Sequence, residues 1–225
     1  MEKVYKTSRI LAYVLVAIAL LGIAPVINGA VRDGIEQKYN LDVHSQDVKV
    51  WQENWDAYNA ECDSNTTLQI FGAISVVLSY LSIICIYGGL FLFFLLLKKN
   101  MAKGSRLTPT IILGLAASIL CVVSYVFGQI TIRYLWEVWS GAYFWHNLLT
   151  LICTLALIAT FVTMMRFLPR GTIRLSCIIL TILIVVTGIQ YLLYLIGGRI
   201  GQIIVVILYP LAFAYFYFEF SKLKK

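Results

Sequence analysis

Six long apolar runs dominate this chain, at residues 10–31, 68–97, 107–132, 141–165, 173–196 and 200–218. Each is long enough to carry a helix across a hydrocarbon core, which takes about 20 residues. A segment in lipid must satisfy its own backbone hydrogen bonds, so it is either a helix or a strand of a closed barrel. Barrel strands are about 9–11 residues long and alternate in polarity. These runs are longer and do not alternate. The sequence therefore predicts an all-α integral membrane protein, a single membrane domain of six transmembrane helices over residues 1–225. Charged residues make up 13% of the chain, against about 25% in an average soluble domain. Little remains for a separate aqueous domain.

The ends of the runs carry helix punctuation. Thr108-Pro109 reads as N-cap and first helical residue, and Thr172 as another N-cap. Gly197-Gly198 stops the fifth run, and Pro169 closes the fourth from outside. Pro25 and Pro210 fall inside runs and interrupt their hydrogen-bond ladders, which membrane helices tolerate. The first run begins after basic residues, as a leader peptide does. It is longer than a leader's apolar core and contains Pro25, so it reads as a retained helix.

Basic residues give the orientation. Thirteen of the eighteen lysines and arginines lie at the N-terminus, in the second and fourth connections, and at the C-terminus. With six spans all four segments share one side, and the positive-inside rule makes that side cytoplasmic. Arg32, Lys38, Lys49, Arg133 and Arg199 remain outside. So do nine of the eleven acids, eight of them between Asp33 and Asp63. The expected location is a bacterial cytoplasmic membrane. The net charge of +7 belongs to headgroup contacts rather than nucleic acid. The phrases "TSRIL", "GSRLT" and "TIRLS" open the odd-numbered runs, an apparent repeat that topology alone can generate.

The first outer loop, residues 32–67, contains "WQENWDAYNAEC". Val48, Trp51, Trp55, Tyr58 and Cys62 share one helical face, with acids and amides on the others. Ser45 suits the cap and Asp47 the positive helix end. An amphipathic helix is expected over residues 46–60, acting as an interfacial anchor or a lid over the bundle. Trp136 and Trp139, in "WEVWSGAYFW", form a second aromatic belt.

Chemistry is scarce. His44 and His146 share no ligand spacing, so no metal or haem site is expected, nor any other cofactor. His146 reads as an interfacial side chain bonded to backbone or lipid. Cys85, Cys121, Cys153 and Cys177 read as small packing residues, and Cys62 is alone outside. Asn65-Thr66-Thr67 is a glycosylation sequon. No catalytic motif appears. One constellation stands out: Asn28 with Arg32, and Gln129 with Arg133, each pair four residues apart on one helix face. Gln190 and Arg199 add a less regular third pair. If these faces converge, they form an outer polar site for an anionic or zwitterionic small molecule or lipid headgroup. Otherwise the arginines reach headgroups or loop acids. The expected function is an accessory or assembly subunit acting with another membrane protein. The alternative is a small transporter or solute-binding subunit with its site in the outer half. An intramembrane enzyme comes last, for want of convergent catalytic groups.

Overall fold

A computed structural model describes residues 1–39, 41, 48–101, 105–135, 141–193 and 203–224. Among these, every regular element is helical: α1 (Glu2–Leu21), α2 (Ile23–Tyr39), α3 (Val48–Ser64), α4 (Thr66–Ile83), α5 (Gly89–Asn100), α6 (Thr108–Ile130), α7 (Ala142–Met165), α8 (Thr172–Leu193) and α9 (Tyr209–Ser221). Six stretches are long and apolar enough to cross a membrane: Glu2–Tyr39, Thr66–Asn100, Thr108–Ile130, Ala142–Met165, Thr172–Ile189 and Ile204–Ser221. They are the six expected spans, here numbered one to six.

The spans form a closed ring in chain order. Each packs on its predecessor, and span six returns to pack along span one. One end of the ring carries the chain termini, and the other carries α3. The half nearer the termini is packed largely with aromatic rings. Phe93, Phe94, Phe161, Phe213, Phe216 and Tyr217 are all fully buried there. Phe93 meets Phe220 edge-on at 4.8 Å and 86° and Phe216 at 5.6 Å and 79°, while Phe161 meets Phe216 at 5.3 Å and 84°. Between lipid and protein interior there is no water to expel, so this half is held by dispersion and ring geometry. The Tyr217 hydroxyl is buried among these rings without a partner, and nothing in the structure explains it.

Four spans are not plain α-helix. Span one breaks at Gly22, three residues before Pro25, which has no N–H to give the carbonyl of Leu21. Span two carries a π turn at Ile84–Gly88, ending on the Gly88-Gly89 pair. Span six carries another at Ile204–Leu208, where the Tyr209 N–H reaches back to the carbonyl of Ile204. Pro210 follows directly and cannot donate to Val206. That carbonyl faces Gly22, 2.8 Å from where a Cβ would sit. The breaks in spans one and six therefore meet. A third π turn, Thr131–Leu135, extends span three beyond α6.

Several expected boundaries shift. Residues 32–39 continue the first helix rather than opening a loop. Val31, Ile35 and Tyr39 recur at four-residue spacing and form a small second core with Tyr58 and Leu68. The loop helix runs Val48–Ser64, ending later than expected. Asn65 then caps α4, its Oδ1 accepting from the Leu68 N–H at 3.2 Å. Ser45 and Asp47 lie outside the described residues, as do His44, Trp136, Trp139, Gly197 and Gly198.

Two expected caps also move. Leu107 takes the cap of α6, leaving Thr108 and Pro109 in its first turn. The Leu107 N–H bonds the Ser105 hydroxyl at 3.3 Å. At α8 the carbonyl of Gly171 accepts from Arg174 and Leu175. Gly171 has φ +129°, which threonine would resist. The hydroxyl of Thr172 instead donates to the buried carboxylate of Glu219, which also pairs with Lys222 at 2.6 Å. That contact ties span five to span six at the termini end.

Candidate functional site: a cavity in the α3-side half

Above the aromatic half the ring encloses a cavity of about 470 Å³ to which all six spans contribute, from Pro25 in span one to Val206 and Tyr209 in span six. Two of the π turns line it, through Ile86 and Tyr87 and through Val205 and Val206. Such turns change which way neighbouring side chains point and are common at functional sites. At the deep end the hydroxyls of Tyr87 and Tyr209 lie 3.5 Å apart. Cys121 and Cys153 also line the cavity; both are free thiols and both are buried.

The polar groups come from short stripes inside apolar runs. Span four offers His146, Thr150 and Thr154 at four-residue spacing, which places them on one helix face. Span three faces them with Cys121, Ser124 and Gly128. The hydroxyls of Ser124 and Thr150 lie 3.1 Å apart across the two helices. Glycine makes the close approach possible. A Cβ on Gly128 would fall 2.5 Å from the ring of His146, and one on Gly188 would fall 2.5 Å from Thr154 Cγ2.

Two groups in this wall are unsatisfied. Hydroxyls in membrane helices normally bond back to their own helix. Ser118, Thr160, Thr163 and Thr181 all do so here, at 2.7 Å. Thr187 does not. It is 8% exposed and lines the cavity, and its Oγ1 has no partner. His146 Nδ1 is likewise buried and without a protein partner; the backbone bond expected of this side chain is not made at that nitrogen. No Asp, Glu, Lys or Arg is among the described residues that line the cavity. Among the described residues, no cluster of His, Cys, Asp and Glu could hold a metal ion.

Of the outer polar residues singled out in the sequence, the structure brings Gln129 into this wall. Asn28 is half-buried in α2 and its Oδ1 has no partner, but it is not a lining residue. Arg32 is exposed. Arg133 belongs to the π turn Thr131–Leu135 and Gln190 to α8, but their side chains, and all of Arg199, lie outside the described residues. Span one packs against spans six and two, and span three against spans two and four. The two amide–arginine pairs therefore stand on helices that are not ring neighbours.

The loop helix packs on the protein itself. Tyr58 is buried against Ile35 and Leu68. Trp51 stacks on Trp55 at 5.6 Å and 16°, Trp55 meets Tyr58 at 5.6 Å, and Trp51 Nε1 donates to the carbonyl of Leu41 at 3.1 Å. Glu61 fastens α3 to the end of α2, accepting from Lys38 Nζ at 2.5 Å and from the Tyr39 hydroxyl at 2.7 Å. These two hydrogen bonds, Lys38 first, hold its carboxyl below the usual carboxylate range.

Comparison with family models, curated proteins and solved structures finds no match to this chain.

Proposed function

We propose that this protein is a membrane-embedded binding or carrier protein that takes a small uncharged molecule into the cavity in the α3-side half of the bundle. The observation that carries the reading is the pair of unsatisfied groups, Thr187 Oγ1 and His146 Nδ1, in a wall whose described residues carry no formal charge. A buried donor or acceptor without a partner costs about 1–3 kcal/mol. A ligand that bonds to it recovers that cost. An ion in the same place would have no counter-charge, and an unpaired buried charge costs several kcal/mol. This favours a neutral ligand over the anionic or zwitterionic one expected from the arginines. It also raises the solute-binding reading above the accessory one, since an assembly subunit gains nothing from a hollow half. The broken and π-turned helices around the cavity are of the kind that carriers place at their binding sites.

In this reading both termini are cytoplasmic, by the positive-inside rule, and a bacterial cytoplasmic membrane is the expected home. The amphipathic helix α3 then stands outside, with its acids toward water and its tryptophans toward α2 and the interface. It serves as a cover beside the cavity rather than as a separate domain.

The cavity's own thiols test the proposal. In a variant lacking Cys62, Cys85 and Cys177, N-ethylmaleimide, a small uncharged reagent, should alkylate Cys121 or Cys153 in the folded protein. Filling the cavity with Thr150→Trp should slow that reaction. Thiols that stay unreactive until the protein is denatured would refute a cavity open to small solutes.

A further inference from the structure

The ring is not equally tight at every seam. Spans two and three pack together along α5 and the π turn Ile84–Gly88. Above that level α4 leans on α2 and does not pack along α6. The rings of Tyr80 and Tyr125 meet edge-on across the seam, at 6.1 Å and 88°. Both line the cavity, and so do Val76 and Ser79. Val76 is 54% exposed and Tyr80 39%, so the same residues belong to the cavity wall and to the outer surface. On either side of the seam the surface carries exposed apolar side chains, Val77 and Leu81 on α4 and Val122 and Val126 on α6. Tyr80 sits well inside the 35-residue span Thr66–Asn100, at the depth of hydrocarbon.

We infer that the seam between α4 and α6 is a lateral portal, and that the ligand is an uncharged lipid with a hydroxyl or carbonyl head. This rests on the binding function proposed above and names its ligand class and route. The head reaches the Thr187 hydroxyl and His146 Nδ1, which have no protein partner. The cavity lies within the usual range for small-ligand sites, about 300–1,000 Å³, and has room for a head and the start of a chain. The remaining chain leaves between α4 and α6 into the bilayer. Tyr80 and Tyr125 form the jamb of this opening, since an aromatic ring can turn aside without exposing an unsatisfied backbone group. A charged lipid is disfavoured, because no described residue of the wall offers its headgroup a counter-ion.

The test uses the full chain in lipid nanodiscs with two photoactivatable lipids of identical tails. One is a diacylglycerol with a diazirine at the first carbons of one chain; the other is the matching phosphatidic acid. Cross-linked peptides are mapped by mass spectrometry. The diacylglycerol should mark peptides containing residues 146–154 and 184–188 about tenfold more than the phosphatidic acid does, because only the charged head must be desolvated unpaired. Thr187→Val keeps the shape of the side chain and removes only the hydroxyl. It should lower that marking about fivefold, as for one lost hydrogen bond, while raising the midpoint of thermal unfolding of the empty protein. Equal marking by both lipids, or marking confined to lipid-facing residues such as Val77 and Val122, overturns the inference. If N-ethylmaleimide still reaches Cys121 or Cys153 in that case, the cavity admits small solutes by another path and the proposed function survives. If neither probe reaches the cavity, both readings fall.

Discussion

Replacing Gly22 by alanine should loosen the whole bundle, although alanine is the better helix former. Gly22 has φ −59° and ψ −9°, which alanine adopts without strain, so backbone conformation is not the obstacle. The obstacle is space. The new Cβ would lie 2.8 Å from the carbonyl oxygen of Val206 and 3.0 Å from its Cγ1, and the first of these belongs to the backbone and cannot rotate away. Overpacking of this kind costs about 1–3 kcal/mol. The helix-propensity gain over glycine is at most about 1 kcal/mol and is smaller at a helix break. The net expectation is a loss of about 1–2 kcal/mol, or roughly a 5–30-fold lower ratio of folded to unfolded protein. Two control glycines calibrate the measurement. Gly72 has no atom within 4 Å of its would-be Cβ, so Gly72→Ala should stabilise by about 0.5–1 kcal/mol. Gly89 meets only the tip of Leu11, at 2.9 Å, which can turn aside, so Gly89→Ala should be near neutral. The assay is reversible unfolding in mixed micelles, followed by circular dichroism as dodecyl sulfate is titrated in. A Gly22→Ala protein as stable as the parent, or a Gly72→Ala protein equally damaged, would refute the claim that spans one and six meet backbone to backbone.

Three further outcomes are expected. The carboxyl of Glu61 is held below its ordinary value of 4.5, so its contribution to the α2–α3 contact is complete above that pH and lost as pH falls through the lower folded-state value. Fluorescence of a variant retaining only Trp51 and Trp55 should stay constant from pH 7 to about 5 and change below, and Glu61→Gln should abolish that transition. Changing both Trp51 and Trp55 to alanine removes the Trp51–Trp55 stack and the bond to Leu41. External protease should then cut near α3 faster, with the rest of the bundle unaffected; an unchanged rate would mean that Tyr58 and Glu61 hold the helix alone. A C-terminal reporter active only outside the cytoplasm should stay silent, and activity there would overturn the proposed orientation.

The architecture was easier to read from the sequence than the site was. Six apolar runs leave few alternatives in lipid, and six helices are what the chain forms. Their outer ends were misjudged because hydropathy marks where lipid stops, not where a helix stops. Val31, Ile35 and Tyr39 carry α2 onward because Tyr58 and Leu68 give them something to pack on. The amide–arginine pairs are statements about single helices. Four-residue spacing places Gln129 and Arg133 on one face, but it is silent about which spans are neighbours in the ring. The cavity was hidden for a different reason. In a membrane protein the lipid face and the packed face are both apolar, so periodicity hardly distinguishes inside from outside. Threonine, serine and tyrosine barely lower the hydropathy of a run. The one legible trace was the set His146, Thr150 and Thr154, a polar row every fourth residue in an otherwise aliphatic stretch.

The order of the ring has a consequence for how the protein is made. Spans two to five can each settle against the span synthesised just before, on leaving the ribosome. The contact between α1 and α9 cannot, and it is the most extensive in the molecule. Tyr5 must wait for Phe220, its partner at 5.9 Å, and Gly22 for Val206. At about 5–20 residues per second the interval is roughly 10–40 s. Until then the nascent chain is an arc with a free edge, and the cavity lacks the wall formed by Val205, Val206 and Tyr209. Premature termination anywhere before span six therefore yields at most five inserted spans and an incomplete cavity wall. The same free edge could engage a sixth span from another chain before its own arrives, so slow translation of the last third of the message should favour swapped dimers over closed monomers.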